Sequence, residues 1–102
     1  PYLVLAACLE AGLDGIRNQI TPPDAVTENV FEMQLQQRAK LGIESLPGDL
    51  EQAVEELEKD DYIKNVLGGH ITEKYLEAKK AEWADYRAQV TAWEIEKYLY
   101  KI

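Results

Sequence analysis

Uncharged, mostly apolar residues fill the beginning of the chain, and the first charge is carried by Glu10. Apolar positions recur there at helical spacing and also occupy the remaining sides, which predicts a buried helix within residues 1–20. A helix that is apolar on all sides belongs inside a larger protein, so we expect this chain to be a piece of a longer one. Cys8 lies in the same run, and we expect its thiol to be buried and unreactive. The predicted stripe consists of Leu5, Leu9, Leu13 and Ile16.

Residues 21–48 show a weaker pattern and are predicted to form an irregular segment with one short helix. Pro22 and Pro23 remove two backbone donors and force extended backbone, which ends the preceding helix. The short helix is expected around residues 34–40 and is closed by Gly42. The dipeptide Pro47-Gly48 then predicts a turn.

Two short helices are predicted over residues 49–69. Asp49 is a typical N-cap, and Gln52 three residues later completes a pattern like a capping box. Asp60 or Asp61 can cap the second helix, which the glycines at 68 and 69 end. The first helix has an acidic side, which we interpret as a solvated face rather than a metal site. Its apolar stripe is Leu50, Val54 and Leu57, and its acidic residues are Glu51, Glu55, Glu56 and Glu58.

The longest predicted helix covers residues 70–90, with an apolar stripe of Leu76, Trp83, Tyr86 and Val90. A new helix follows over residues 91–102. Thr91 and Glu94 form the capping-box pattern Thr-x-x-Glu, with Val90 and Ile95 placed for a hydrophobic staple. The last helix is amphipathic, since its apolar positions recur every three or four residues. This stripe either folds back on its own subunit or docks into a groove of another subunit, and the residues alone leave both open. Its members are Ile95, Tyr98, Leu99 and Ile102.

Composition excludes several function classes. The chain has 102 residues with 11 basic and 19 acidic side chains, which gives a net charge of −8. This balance argues against a nucleic-acid partner and against an anionic membrane surface, because both select for basic faces. A single cysteine excludes an internal disulfide and fits a reducing compartment, so we expect a cytoplasmic location.

Candidate chemistry is sparse. His70 is the only histidine, and no Cys/His pair has metal-ligand spacing, which argues against a zinc site. We expect His70 at the surface or in a cap, and Glu82 exposed at the edge of the long helix. No phosphate-binding glycine motif is present, and no nucleophile–base pair can be assigned. The residues therefore indicate an all-α protein, several helices joined by Pro/Gly turns, with assembly surfaces. A stand-alone helical protein-interaction module is the alternative.

Short segments along the whole chain resemble bacterial type I glutamine synthetases, in the part that follows the last active-site strands. No single segment is decisive, and the resemblance rests on their order and spacing together. The segments are PYL at 1–3, AGLDGI at 11–16, TPP at 21–23, ENVF at 28–31, LPGDL at 46–50, LGGH at 67–70, AEW at 81–83, RAQVT at 87–91 and WE at 93–94.

This resemblance implies that the chain is the helical C-terminal portion of an α+β catalytic domain, roughly the last quarter of such an enzyme. The intact enzyme makes glutamine from glutamate, ammonia and ATP through γ-glutamyl phosphate, with Mg²⁺ or Mn²⁺. Its metal-binding carboxylates and substrate arginines lie upstream of this chain in the family. The resemblance therefore assigns no catalytic, cofactor-binding or metal-ligating residue here, and it implies that the fragment alone is inactive.

The resemblance also implies a role in assembly. The family forms two stacked six-membered rings, and its C-terminal helix reaches into a pocket of the opposite ring, which favours docking over folding back. Phe31 stands where one branch of the family has a tyrosine that is adenylylated, so that regulation cannot operate here, and the segment is more similar to the branch controlled by feedback inhibition. The expected docking residues are Trp93, Ile95, Tyr98, Leu99 and Ile102.

Overall fold

The computed structural model describes residues 1–101, and these residues form only helices and the segments that connect them. The all-α fold expected from the sequence is therefore confirmed. The α-helices are α1 (Tyr2–Arg17), α2 (Leu35–Lys40), α3 (Leu50–Lys59), α4 (Asp61–Leu67), α5 (Gly69–Arg87) and α6 (Ala92–Tyr98), with one 3₁₀ turn at Val30–Glu32.

Helices α3, α4 and α5 pack against one another, and we call them the central cluster. The start of α3 is capped by Asp49, whose carboxylate accepts the Gln52 N–H at 2.8 Å. The start of α4 is capped in the same way by Asp60, which accepts the Ile63 N–H at 3.0 Å. Both predicted N-caps are confirmed, and of the two candidates for α4 the structure uses Asp60. The Gln52 side chain accepts from the Gly48 N–H at 3.0 Å, so its predicted return contact to the Asp49 N–H is replaced by one to the preceding residue.

The connection between α4 and α5 depends on Gly68. Its backbone has φ +83° and ψ 155°, a region that is essentially restricted to glycine. This one residue ends α4 and immediately precedes α5, so the two helices can fold against each other without a longer loop. The sequence prediction of a glycine turn here is confirmed.

The buried interior of the described residues is small. Within residues 1–101, only Met33, Val54 on α3 and Thr72 on α5 are buried. Thr72 is polar, and its hydroxyl donates to the Lys64 carbonyl at 3.2 Å, which joins α5 to α4. The predicted apolar stripe of α5 is only partly the packed side, because Tyr86 and Val90 are exposed while Thr72 faces inward.

Helix α1 packs against α4 and has no buried residue. Within residues 1–101 the predicted stripe is mostly exposed, since Leu5 and Leu9 are 66% and 64% exposed, although its member Leu13 is partly covered. The expectation of a buried Cys8 is wrong for this chain, because the thiol is exposed and, within residues 1–101, α4 is the helix that packs extensively against α1. Burial of α1 by a longer protein stays a prediction.

The chain is more extended than a compact domain of its length. Its radius of gyration is 18.7 Å, against about 13 Å for a compact chain of this size. Its accessible surface is 9047 Å², against about 5,800 Å² for a compact protein of this mass. The excess of roughly 3,000 Å² is comparable to the area of a permanent protein–protein interface.

Candidate assembly surfaces

Helix α6 begins with a complete capping box. The Glu94 N–H donates to the Thr91 hydroxyl oxygen at 3.2 Å, and the Thr91 N–H donates to the Glu94 carboxylate at 2.7 Å. The Thr91 hydroxyl also donates to this carboxylate, at 2.8 Å. These hydrogen bonds favour the ionised carboxylate and hold the pKa of Glu94 below its usual range. The capping box predicted from the sequence is confirmed.

The apolar side of α6 is uncovered. Ile95, Tyr98 and Leu99 are 44%, 60% and 58% exposed, and we call these three the α6 stripe. Within residues 1–101, no other helix packs extensively against α6. The stripe borders a shallow depression of about 290 Å³, which Val90 and Glu94 also line. Ile102, the fourth predicted member, lies outside the described residues.

Trp93 does not lie on the stripe, but it contacts it. Its ring meets the Tyr98 ring edge to face, with centroids 5.8 Å apart and planes at 80°. This is a favourable geometry for two aromatic rings. The structure therefore brings together four of the five residues that the sequence singled out, and leaves all four exposed.

The acidic side of α3 faces basic residues of α5. Glu58 is paired with Lys80, and Glu51 lies 3.8 Å from Arg87, so the two helices run antiparallel with a charged contact at each end. Trp83 and Val54 lie between these pairs and line a groove of about 330 Å³. No group of three or more His, Cys, Asp or Glu side chains in residues 1–101 is arranged to hold a metal ion.

The remaining candidate residues have ordinary surroundings. His70 is exposed in the first turn of α5, as expected for a surface role. Glu82 is exposed and pairs at 2.6 Å with Lys79, one turn earlier on the same helix. This hydrogen-bonded carboxylate raises the pKa of Lys79.

A contact between Tyr62 and Glu10 was not predicted from the sequence. The Tyr62 hydroxyl donates to the Glu10 carbonyl at 3.2 Å and lies 3.3 Å from its carboxylate, which joins α4 to α1. Partial burial and the neighbouring carboxylate raise the pKa of Tyr62. Arg17 lies 3.5 Å from the same Glu10 carboxylate. The partners are 52 residues apart, so no local pattern indicates this contact.

Comparison with known proteins shows to which family the chain belongs. Residues 1–98 match the family described as "Glutamine synthetase, catalytic domain". The chain belongs to this glutamine synthetase family. A glutamine synthetase from Thermotoga maritima is 54% identical over 97% of this chain, and one from Methanocaldococcus jannaschii is 50% identical over 97%. One from Clostridium saccharobutylicum is 48% identical over 99%.

The chain spans only 22–23% of the length of these glutamine synthetases. It is therefore a partial segment of a family catalytic domain, and the family resemblance seen in the sequence is confirmed over nearly its whole length. No helix in the described part of the chain is long and apolar enough to cross a membrane.

Proposed function

We propose that this chain is the C-terminal segment of a glutamine synthetase subunit. The intact enzyme would join glutamate and ammonia, using ATP and forming γ-glutamyl phosphate, in the cytoplasm. Mg²⁺ or Mn²⁺ would neutralise the phosphate during transfer, as divalent ions do in phosphoryl chemistry generally. On this proposal the metal ligands and substrate-binding groups belong to the part of the enzyme outside this chain.

The segment itself would serve assembly. The observation that carries this role is the α6 stripe, an exposed apolar surface on a well-capped helix against which no other helix in residues 1–101 packs extensively. Large contiguous apolar surfaces rarely stay in contact with water. We propose that the stripe docks into a pocket of a subunit in the opposite ring of a double-ring assembly. Neighbouring protein of the same enzyme would cover α1.

The test is a pair of substitutions in the intact enzyme that contains this chain. Tyr98→Asp with Leu99→Asp places two charges on the stripe, and we expect the stacked rings to separate while each ring stays intact. The measurement is the mass of the native assembly by native mass spectrometry. Desolvating an unpaired carboxylate in an apolar pocket is strongly unfavourable, which is the physical reason for the separation.

Tyr100→Asp is the matched control, because it makes the same exchange two residues further on. Tyr100 is 85% exposed and is not a member of the stripe. We expect this variant to keep the native mass. If the Tyr98→Asp/Leu99→Asp enzyme also keeps the full native mass, the docking role is wrong.

A further inference from the structure

The corner between α5 and α6 is held by hydrogen bonds on its α5 side. The Ala88 and Gln89 N–H groups donate to the carbonyls of Asp85 and Tyr86 at 3.3 and 3.0 Å. The Gln89 side-chain amide also donates back to the Asp85 carbonyl at 3.2 Å and to the Asp85 carboxylate at 3.3 Å. Gln89 is therefore tied to the last turn of α5 through both its backbone and its side chain.

The α6 side of the same corner is held by the Thr91–Glu94 capping box. Gln89 and Thr91 are separated by Val90 alone, so the two sets of hydrogen bonds act on adjacent stretches of backbone. Between them they restrict the segment that sets the direction of α6 relative to α5. Because no other helix in residues 1–101 packs extensively against α6, its direction depends on this corner.

We propose that residues 85–94 form a preordered elbow that fixes the direction of α6 before it docks, with Gln89 and Thr91 as the positioning residues. The identity of what α6 meets rests on the proposed function, but the elbow itself is a property of this chain. Helix α6 has 7 residues, and helices shorter than about 12 residues are marginal in water without packing or caps. An elbow that orders α6 in advance reduces the conformational entropy that docking would otherwise remove.

The direct test measures the angle of α6 in the undocked chain. One spin label is attached to α5 at Ala81→Cys and one to α6 at Glu96→Cys, and Cys8→Ser removes the native thiol. Pulsed EPR on the dilute full chain then measures the distribution of distances between the two labels. We expect a narrow distribution for this parent. We expect Gln89→Ala and Thr91→Ala each to broaden it, and Thr91→Ser, which keeps the hydroxyl, to restore the narrow one.

A second readout separates the direction of α6 from its formation. We expect the α6 amides to exchange hydrogen about fivefold faster in Thr91→Ala, because the free energy lost with a helix cap corresponds to about that factor in an equilibrium constant. Gln89→Ala leaves the capping box intact, so we expect those amides to keep their protection while the distance distribution broadens. If neither variant broadens the distribution, the elbow is wrong.

The two proposals fail in different ways. Loss of the double-ring mass in the Tyr98→Asp/Leu99→Asp enzyme reports on docking alone, whereas the spin-label distances report on the elbow in the absence of docking. Suppose that the distance distribution is narrow in the parent and widens in both elbow variants, while the Tyr98→Asp/Leu99→Asp enzyme keeps its native mass. The elbow proposal would then be supported and the docking proposal would be wrong.

Discussion

The central cluster and α6 are capped in similar ways, but their apolar side chains have different surroundings. Helices α3 and α4 of the cluster and helix α6 each begin with a side-chain cap, at Asp49, Asp60 and Thr91. In the cluster, Val54 is 6% exposed, and charged residues pair between α3 and α5. On α6, Tyr98 is 60% exposed and no helix of residues 1–101 packs extensively against it. Amphipathicity thus determines which side of a helix is apolar, but it does not determine what covers that side.

The largest difference in stability between the two regions is expected from a matched pair of valine-to-alanine substitutions. Val54→Ala removes buried methyl groups in the central cluster and should lower the free energy of unfolding by about 2 kcal/mol. Val90→Ala makes the same exchange at a residue that is 72% exposed, and we expect a change of less than about 0.5 kcal/mol. Urea denaturation followed by circular dichroism measures both. Equal losses in the two variants would contradict the assignment of Val54 to the interior.

A smaller effect tests how α1 is attached to the cluster. Tyr62→Phe removes the hydroxyl that donates to Glu10 and should cost about 0.5–1 kcal/mol. The cost should show as faster hydrogen exchange in α1, with α5 unchanged. Tyr2→Phe is the control, since Tyr2 is 83% exposed. Unchanged exchange in α1 of the Tyr62→Phe variant would mean that apolar contacts alone attach this helix.

The smallest effect concerns pH and is confined to α6. The pKa of Glu94 is lowered from its ordinary value of 4.5 by the hydrogen bonds from Thr91. A lowered carboxylate pKa stabilises the fold above the unfolded pKa, and that contribution is lost as pH falls through the folded value. We therefore expect α6 to fray below about pH 4.5 while it keeps its helicity at neutral pH.

Residue-level NMR shifts of Trp93 and Ile95 would follow this titration. Glu94→Gln is the control, because glutamine can also serve in a capping box but does not titrate. Its α6 shifts should stay flat over the range in which the Glu94 protein changes. Identical titration curves in the two proteins would assign the transition to other carboxylates.

Features that depend on a few adjacent residues were predictable. The caps at Asp49 and Thr91 and the glycine turn at Gly68 all follow from contacts within about four positions, and the structure has each of them. Helix bounds were less reliable, since α5 ends at Arg87 rather than continuing to residue 90. The residues after Arg87 instead form the corner that precedes the capping box of α6.

Features that depend on distant partners were not predictable. The side of α1 that packs against α4 could not be chosen from the sequence, because a helix that is apolar on several sides gives no local reason to prefer one. Thr72 is buried on α5, while Tyr86, a predicted stripe residue, is exposed. Thr72 donates to the Lys64 carbonyl on α4, a contact that no periodicity of the sequence reveals.

The sequence by itself determined the family, the all-α character, the helix caps and the apolar stripe of α6, because each is encoded in residue order or in local backbone chemistry. Only the tertiary structure decided that α1 joins α4 through Tyr62, that α3 and α5 run antiparallel with paired charges, and that the α6 stripe is left uncovered in residues 1–101. The physical reason is that burial is a property of pairs of surfaces. A single helix specifies its own apolar side, but the free energy of covering that side depends on a partner elsewhere in the chain or outside it.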